Sequence, residues 1–145
     1  MKRLFLATLA LTCGFIGFSQ KLAGAKVPQA VKSGLLKAHP NAKATWEWED
    51  KNYEANFTEN GKSVSCVLDK QGTILETETP ATLAELPAAA QTYVSQHYKG
   101  KKAKEVAKIS KANGEIAYEV NYGSGDVLFD SNGNRQEKRE KKEKD

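Results

Sequence analysis

Tyr53-Glu54-Ala55-Asn56-Phe57 alternates apolar and polar side chains, and Tyr118-Glu119-Val120-Asn121-Tyr122 does the same 65 positions later. Strict alternation is the period of a strand with one buried face. Two further landmarks recur in the same order. Val27-Pro28 is answered by Leu86-Pro87 after 59 positions, and Asp69-Lys70-Gln71-Gly72 by Asp130-Ser131-Asn132-Gly133 after 61. A fixed spacing of this size predicts a repeated architecture. One such unit buries too little surface to stand comfortably alone. The expected fold class is therefore α+β, with two tandem helix-plus-antiparallel-sheet repeats forming one domain.

The first unit is expected at 27–78 and the second at 86–136, joined by a linker at 79–85 that carries Pro80. Val27, Val31, Leu35 and Ala38 recur at helical spacing, Pro28 suits the first turn, and Pro40 ends the run. The period then becomes two. Ala44, Trp46 and Trp48 face one way, followed by Tyr53, Ala55 and Phe57, then Val64, Cys66 and Leu68. Asn60-Gly61 is a tight-turn signal between two of these runs. Thr73–Glu78 reads as a short fourth strand. Leu86, Ala90, Tyr93, Val94 and Tyr98 form the second helix stripe, and Ala103–Ser110, Ile116–Tyr122 and Asp126–Asp130 the strands after it. Each unit places a helix on a sheet of three or four strands, the two sheets being continuous or closely apposed.

Lys2 and Arg3 precede an uncharged run from Leu4 to Phe18, and Gly17-Phe18-Ser19 offers small residues where a signal peptidase reads. This is the pattern of a secretory signal peptide at 1–19, cleaved before Gln20. The apolar run falls short of the about 20 residues that span a bilayer. Cys13 lacks the context of a lipidation site. A short leader, 20–26, then shows no pattern. Cys66 is left as the one cysteine of the exported chain, and alternation with Val64 and Leu68 reads it as a small buried hydrophobe. The formal net charge of +4 is carried by Lys2, Arg3 and the stretch 135–145, leaving the body at 20–134 neutral. That argues against nucleic acid as a partner. The tail, 137–145, reads as disordered from its composition.

The succession Val27-Pro28, helix, His39-Pro40, Trp46-Glu47, Tyr53-Glu54-Ala55-Asn56-Phe57, Asp69-x-x-Gly72, then Leu86-Pro87 and a second round resembles the PepSY-like family, described as β-lactamase-inhibitor-like exported bacterial proteins. The resemblance runs from Val27 to about Gln136. It implies tandem helix-and-sheet units, a periplasmic or secreted location, and no established activity. His39 stands where the family carries an aromatic residue, and the second unit has no counterpart of Trp46.

No convergent catalytic set is legible. His39 and His97 do not occupy equivalent positions in the two units, and each reads as a capping or packing residue. Two histidines and one apolar-face cysteine do not make a zinc site. Ser63, Ser65 and Ser95 lack a nucleophile-elbow context. Asp69 and Asp130 suit hairpin turns better than calcium loops. The chain is thus expected to be no enzyme and to need no cofactor or metal. Trp46 and Trp48 are expected in the core, with exposure as aromatic binding anchors the alternative. The opposite sheet face carries Glu47, Glu49 and Glu54 in the first unit, and Glu119, Asn121 and Glu115 in the second. With a helix on one side only, this carboxylate face is open, either as an ordinary solvated face or as a docking site for a basic protein surface, although it offers few apolar anchors. The other expectations weighed are a small-ligand or metal carrier using a cleft between the units, and a structural envelope component.

Overall fold

The computed structural model describes residues 20–49 and 51–137. The signal segment, Cys13 and nearly all of the charged tail lie outside the described residues. Among the described residues, no helix is long and apolar enough to cross a membrane.

Nine strands form one antiparallel sheet in simple chain order. They are β1 (Gln20–Leu22), β2 (Thr45–Glu49), β3 (Asn52–Glu59), β4 (Lys62–Leu68), β5 (Ile74–Pro80), β6 (Glu105–Lys111), β7 (Ile116–Asn121), β8 (Asp126–Asp130) and β9 (Arg135–Gln136). Helix α1 (Gln29–Ala38) lies between β1 and β2, and α2 (Ala88–His97) between β5 and β6. The alternation-based strands stand close to their expected places. The leader does not stay patternless: Gln20, Lys21 and Leu22 pair with Trp48, Glu47 and Trp46 and form the sheet edge. Three residues with no alternation to read are ordered by the strand they join, which a local pattern cannot show. Thr79 and Pro80, expected in the linker, extend β5 instead. Pro80 sits at the strand's end, where its missing N–H costs no ladder bond.

Each helix follows a one-turn 3-10 helix and takes proline as its N-cap residue, Pro28 at φ −56° and Pro87 at φ −55°. The second one-turn helix is closed by a capping box. The Thr82 backbone N–H donates to Glu85 Oε2 at 2.7 Å, and the Thr82 side chain accepts in return from the Glu85 backbone N–H. Val31 and Leu35 of α1 are buried with Trp46, Tyr53, Ala55, Phe57, Val64, Cys66 and Leu68. Ala90 and Val94 of α2 are buried with Val120, Tyr122, Val127 and Phe129. Ala38, expected on the helix stripe, is exposed at the last turn of α1.

Register decides where the helices sit. Cys66 is opposite Thr77, and Thr79, two residues along the same strand, is opposite Lys108, which is opposite Tyr118 and then Phe129. Residues two apart share a face, and so do antiparallel partners. The α1 cluster and the α2 cluster therefore occupy one face of the sheet, and among the described residues the other face carries no helix.

The two Asp-x-x-Gly landmarks are hairpin turns with matching bonds. Asp69 Oδ1 accepts from the N–H groups of Gln71 and Thr73, each at 2.9 Å. Asp130 Oδ1 accepts from those of Asn132 at 2.8 Å and Asn134 at 2.9 Å. Both carboxylates thus tie down their own turns. Asn60-Gly61 forms its tight turn with both residues left-handed, at φ 50° and 75°.

Candidate functional site

On the helix-free face, Lys21, Glu47, Glu54 and Val67 stand in one cross-strand row, continued by Glu76 and Lys111. The next row runs Thr45, Asn56, Ser65, Glu78, Ile109 and Ala117. A third joins Pro80, Ala107, Glu119 and Leu128. Glu47, Glu54 and Glu119 thus lie on this face, with Glu49 two residues from Glu47. Ser65 Oγ donates to Glu54 Oε1 at 2.8 Å. Asn121 Nδ2 donates to Asp126 Oδ1. Glu115 does not join the strand rows. It sits in the β6–β7 turn with its carboxylate 3.2 Å from Lys111 Nζ.

The centre of this face is apolar but covered, so it adds no exposed anchor for a partner. Ala107, Ile109 and Ala117 are buried there, yet belong to neither helix cluster. Beside them Glu78 has its carboxyl pushed up to about 7, first by burial and then by the carboxylates of Glu119, Glu105, Glu54 and Glu49. Those four glutamates come from β2, β3, β6 and β7. Burial without a covering helix, and charges from strands so far apart converging on one carboxyl, are what a sheet curled toward its helix-free side produces. Glu78 was not among the site residues expected from sequence. It ends a short polar run, and only the β4–β5 and β5–β6 registers place it beside Ile109.

The two tryptophans part company. Trp46 is 8% exposed and belongs to the α1 cluster. Trp48, expected beside it in the core, is 38% exposed and lies against Tyr53, ring centroids 4.6 Å apart. It is on the core face, two residues further along β2. Of the pair, Trp48 is the exposed one.

A second constellation escaped the sequence. His39, the C-cap residue of α1, places Nδ1 at 3.0 and 3.2 Å from the Glu59 carboxylate oxygens and Nε2 at 3.7 Å from Cys66 Sγ. Thr77 Oγ1 lies 3.6 Å from the same sulfur. An ionised carboxylate only accepts, so the neutral imidazole carries its proton on Nδ1 and accepts from the thiol at Nε2. A basic partner for Cys66 is thus present, 27 residues away in sequence. Thiol, imidazole and carboxylate stand in the order of a nucleophile, its base and its orienter. Access is what fails. Cys66 is 0% exposed, and burial pushes its thiol up, with Thr77 opposing and Glu59 adding to the rise. The chain of bonds ties the end of α1 to β3 and β4. His97 is elsewhere, stacked on Tyr93 at 4.0 Å with Nδ1 2.9 Å from the Tyr93 carbonyl oxygen.

Among the described residues, no group of three or more His, Cys, Asp or Glu could hold a metal ion. A cavity of about 550 Å³ opens at the β1 edge, where Lys21, Leu22, Ala44, Trp46 and Glu47 line it.

No family model matches the chain, and no curated protein matches it. Solved structures do. A protein of Bacteroides eggerthii described as periplasmic shares 21% identity at a TM-score of 0.65, covering 77% of this chain and 86% of that one. A DUF2874 family protein of Bacteroides uniformis shares 24% identity at a TM-score of 0.61, covering 74% and 85%. A BLIP-like protein of Bacteroides fragilis shares 25% identity at a TM-score of 0.56, covering 81% and 89%. The chain has the fold of these proteins, a helix-bearing antiparallel sheet.

Proposed function

We propose that this chain is a non-catalytic exported binding protein that docks a basic protein surface on the helix-free face of its sheet, and so modulates or inhibits an envelope or secreted hydrolase. The observation that carries this reading is the arrangement of that face. Register gathers Glu47, Glu54, Glu78 and Glu119 over buried Ala107, Ile109 and Ala117, while both helices pack on the other side. A face lined by carboxylates suits a cationic protein surface, and its charge steers the encounter. The BLIP-like name of one structural neighbour and the periplasmic description of another agree with the reading. So does the signal-peptide pattern at 1–19. We further read α1 with β2–β5 and α2 with β6–β9 as tandem PepSY-like units, because proline N-caps and Asp-x-x-Gly turns recur in both.

The test is capture from an envelope extract of the source bacterium, at low and moderate salt. It uses the exported chain and its Glu47→Gln, Glu49→Gln, Glu54→Gln triple variant. A partner lost at moderate salt and lost in the triple variant supports the reading. A partner indifferent to both, or none at all, sinks it.

A further inference from the structure

The two apolar clusters share no residue. The halves that carry them are joined by one ladder, β5–β6, from Glu76 opposite Lys111 to Pro80 opposite Ala107. The N–H groups of Ala81 and Ala112 extend it by donating to the carbonyls of Val106 and Leu75 at 2.8 and 2.7 Å. Glu78 stands at the middle of that ladder, opposite Ile109 on one side and Ser65 on the other. The Ser65 hydroxyl is already committed to Glu54. The charged groups acting on Glu78 are Glu119 on β7, Glu105 on β6, Glu54 on β3 and Glu49 on β2, and Glu76 with its partner Lys111 shares the same face two residues along the ladder. Lys111 is in register with Glu76 and pairs with Glu115 across its turn. Like charge thus converges on one mid-strand carboxyl at the single seam between two separate cores.

We propose that Glu78 is a proton-operated fastening of this seam: with its proton on, β5 and β6 close, and with the proton lost to solvent, the ladder loosens and the halves gain freedom. Its carboxyl, ordinarily near 4.5, sits at about 7. In an opened seam it regains water and its ordinary value. The closed form therefore holds the proton more tightly, and its advantage is lost as pH rises from 4.5 through 7. The inference concerns the fold itself and holds whether or not a partner docks.

The experiment is a carbon-13 titration of the Glu78 carboxyl in the purified protein, with amide exchange measured at pH 5.5 and pH 8 for wild type and Glu78→Gln. Glutamine keeps the shape of the protonated side chain, so the variant is expected to fold. The expected midpoint is near 7, and Glu119→Gln moves it down. After correction for intrinsic rates, opening of the β5 and β6 amides should increase on the order of tenfold between the two pH values in wild type and stay level in Glu78→Gln. A midpoint near 4.5 overturns the proposal. So does an unchanged pH dependence of β5 and β6 exchange in the glutamine variant.

Discussion

A β-carbon placed on Gly34 would fall on the carbonyl oxygen of Gly72. Helix α1 and the turn after β4 thus meet backbone to backbone. Gly72 itself, at φ 87°, is pressed against the Ala30 carbonyl. In the second half, Gly133, at φ 85°, lies against the Ala90 nitrogen in the same manner. A glycine inside a helix costs about 1 kcal/mol relative to alanine. The contact with Gly72 explains why α1 tolerates that cost at Gly34.

Gly34→Ala should therefore destabilise the protein by about 2–3 kcal/mol through overpacking, despite its better helix propensity. Gly24→Ala, with open space around it, should stay within about 0.5 kcal/mol. Urea unfolding of the two variants checks this. A Gly34→Ala variant as stable as wild type would mean that α1 does not pack this closely on the turn.

The turn at Asp130 gives a prediction in acid. Hydrogen bonds from the Asn134 side chain and backbone, followed by those of Asn132 and Gly133, hold the Asp130 carboxyl below its usual 3.8. A group depressed in the folded state contributes stability that is present above 3.8 and lost as pH falls through the folded value. Asp130→Ala should lower the melting temperature at pH 7, and the difference from wild type should shrink as pH falls below 3.8. An equal difference at pH 7 and pH 2.5 would show that the carboxylate charge is not what holds the turn.

Most of this architecture is legible in local chemistry. Strand alternation from Tyr53 to Phe57 and from Tyr118 to Tyr122, prolines opening both helices, and Asn60-Gly61 all act over a few residues. What escaped is set by pairing at a distance. β1 exists because Trp46–Trp48 offers it an edge. Trp48 has the alternation of a core residue yet is exposed, on the strand next to the β1 edge. His39 reaches Cys66 through the packing of a helix end on two strands. Glu78 becomes the centre of the helix-free face only once two registers are known. A single sequence without its registers supplies the carboxylates Glu47, Glu49, Glu54 and Glu119, but not the apolar floor that lies beside them.

Cys66 tests whether the constellation with His39 is chemistry or packing. With the thiol fully buried and pushed up by that burial, it should react with an aromatic disulfide reagent at pH 8 only as fast as the protein opens. Denaturant should release the full signal. His39→Ala should lower stability by about 1–2 kcal/mol, since the thiol and the Glu59 carboxylate lose their shared partner. Rapid labelling of the native thiol that depended on His39 would instead identify an activated nucleophile.

Tyr122 supplies the last prediction. Among the described residues, its hydroxyl is the buried side-chain oxygen with no hydrogen-bond partner, and its ring is stacked on Tyr98 at 4.1 Å. Burial, and secondarily Tyr98, push the phenol above its usual 10, as expected for a group denied water. An unpaired buried hydroxyl costs about 1–3 kcal/mol of desolvation. Tyr122→Phe keeps the stacked ring and removes that cost, so the variant should match or exceed wild-type stability, by about 1 kcal/mol at most. Thermal unfolding followed by near-ultraviolet circular dichroism measures this. A loss of 1 kcal/mol or more would mean that the hydroxyl has a partner in solution, with ordered water the first to look for.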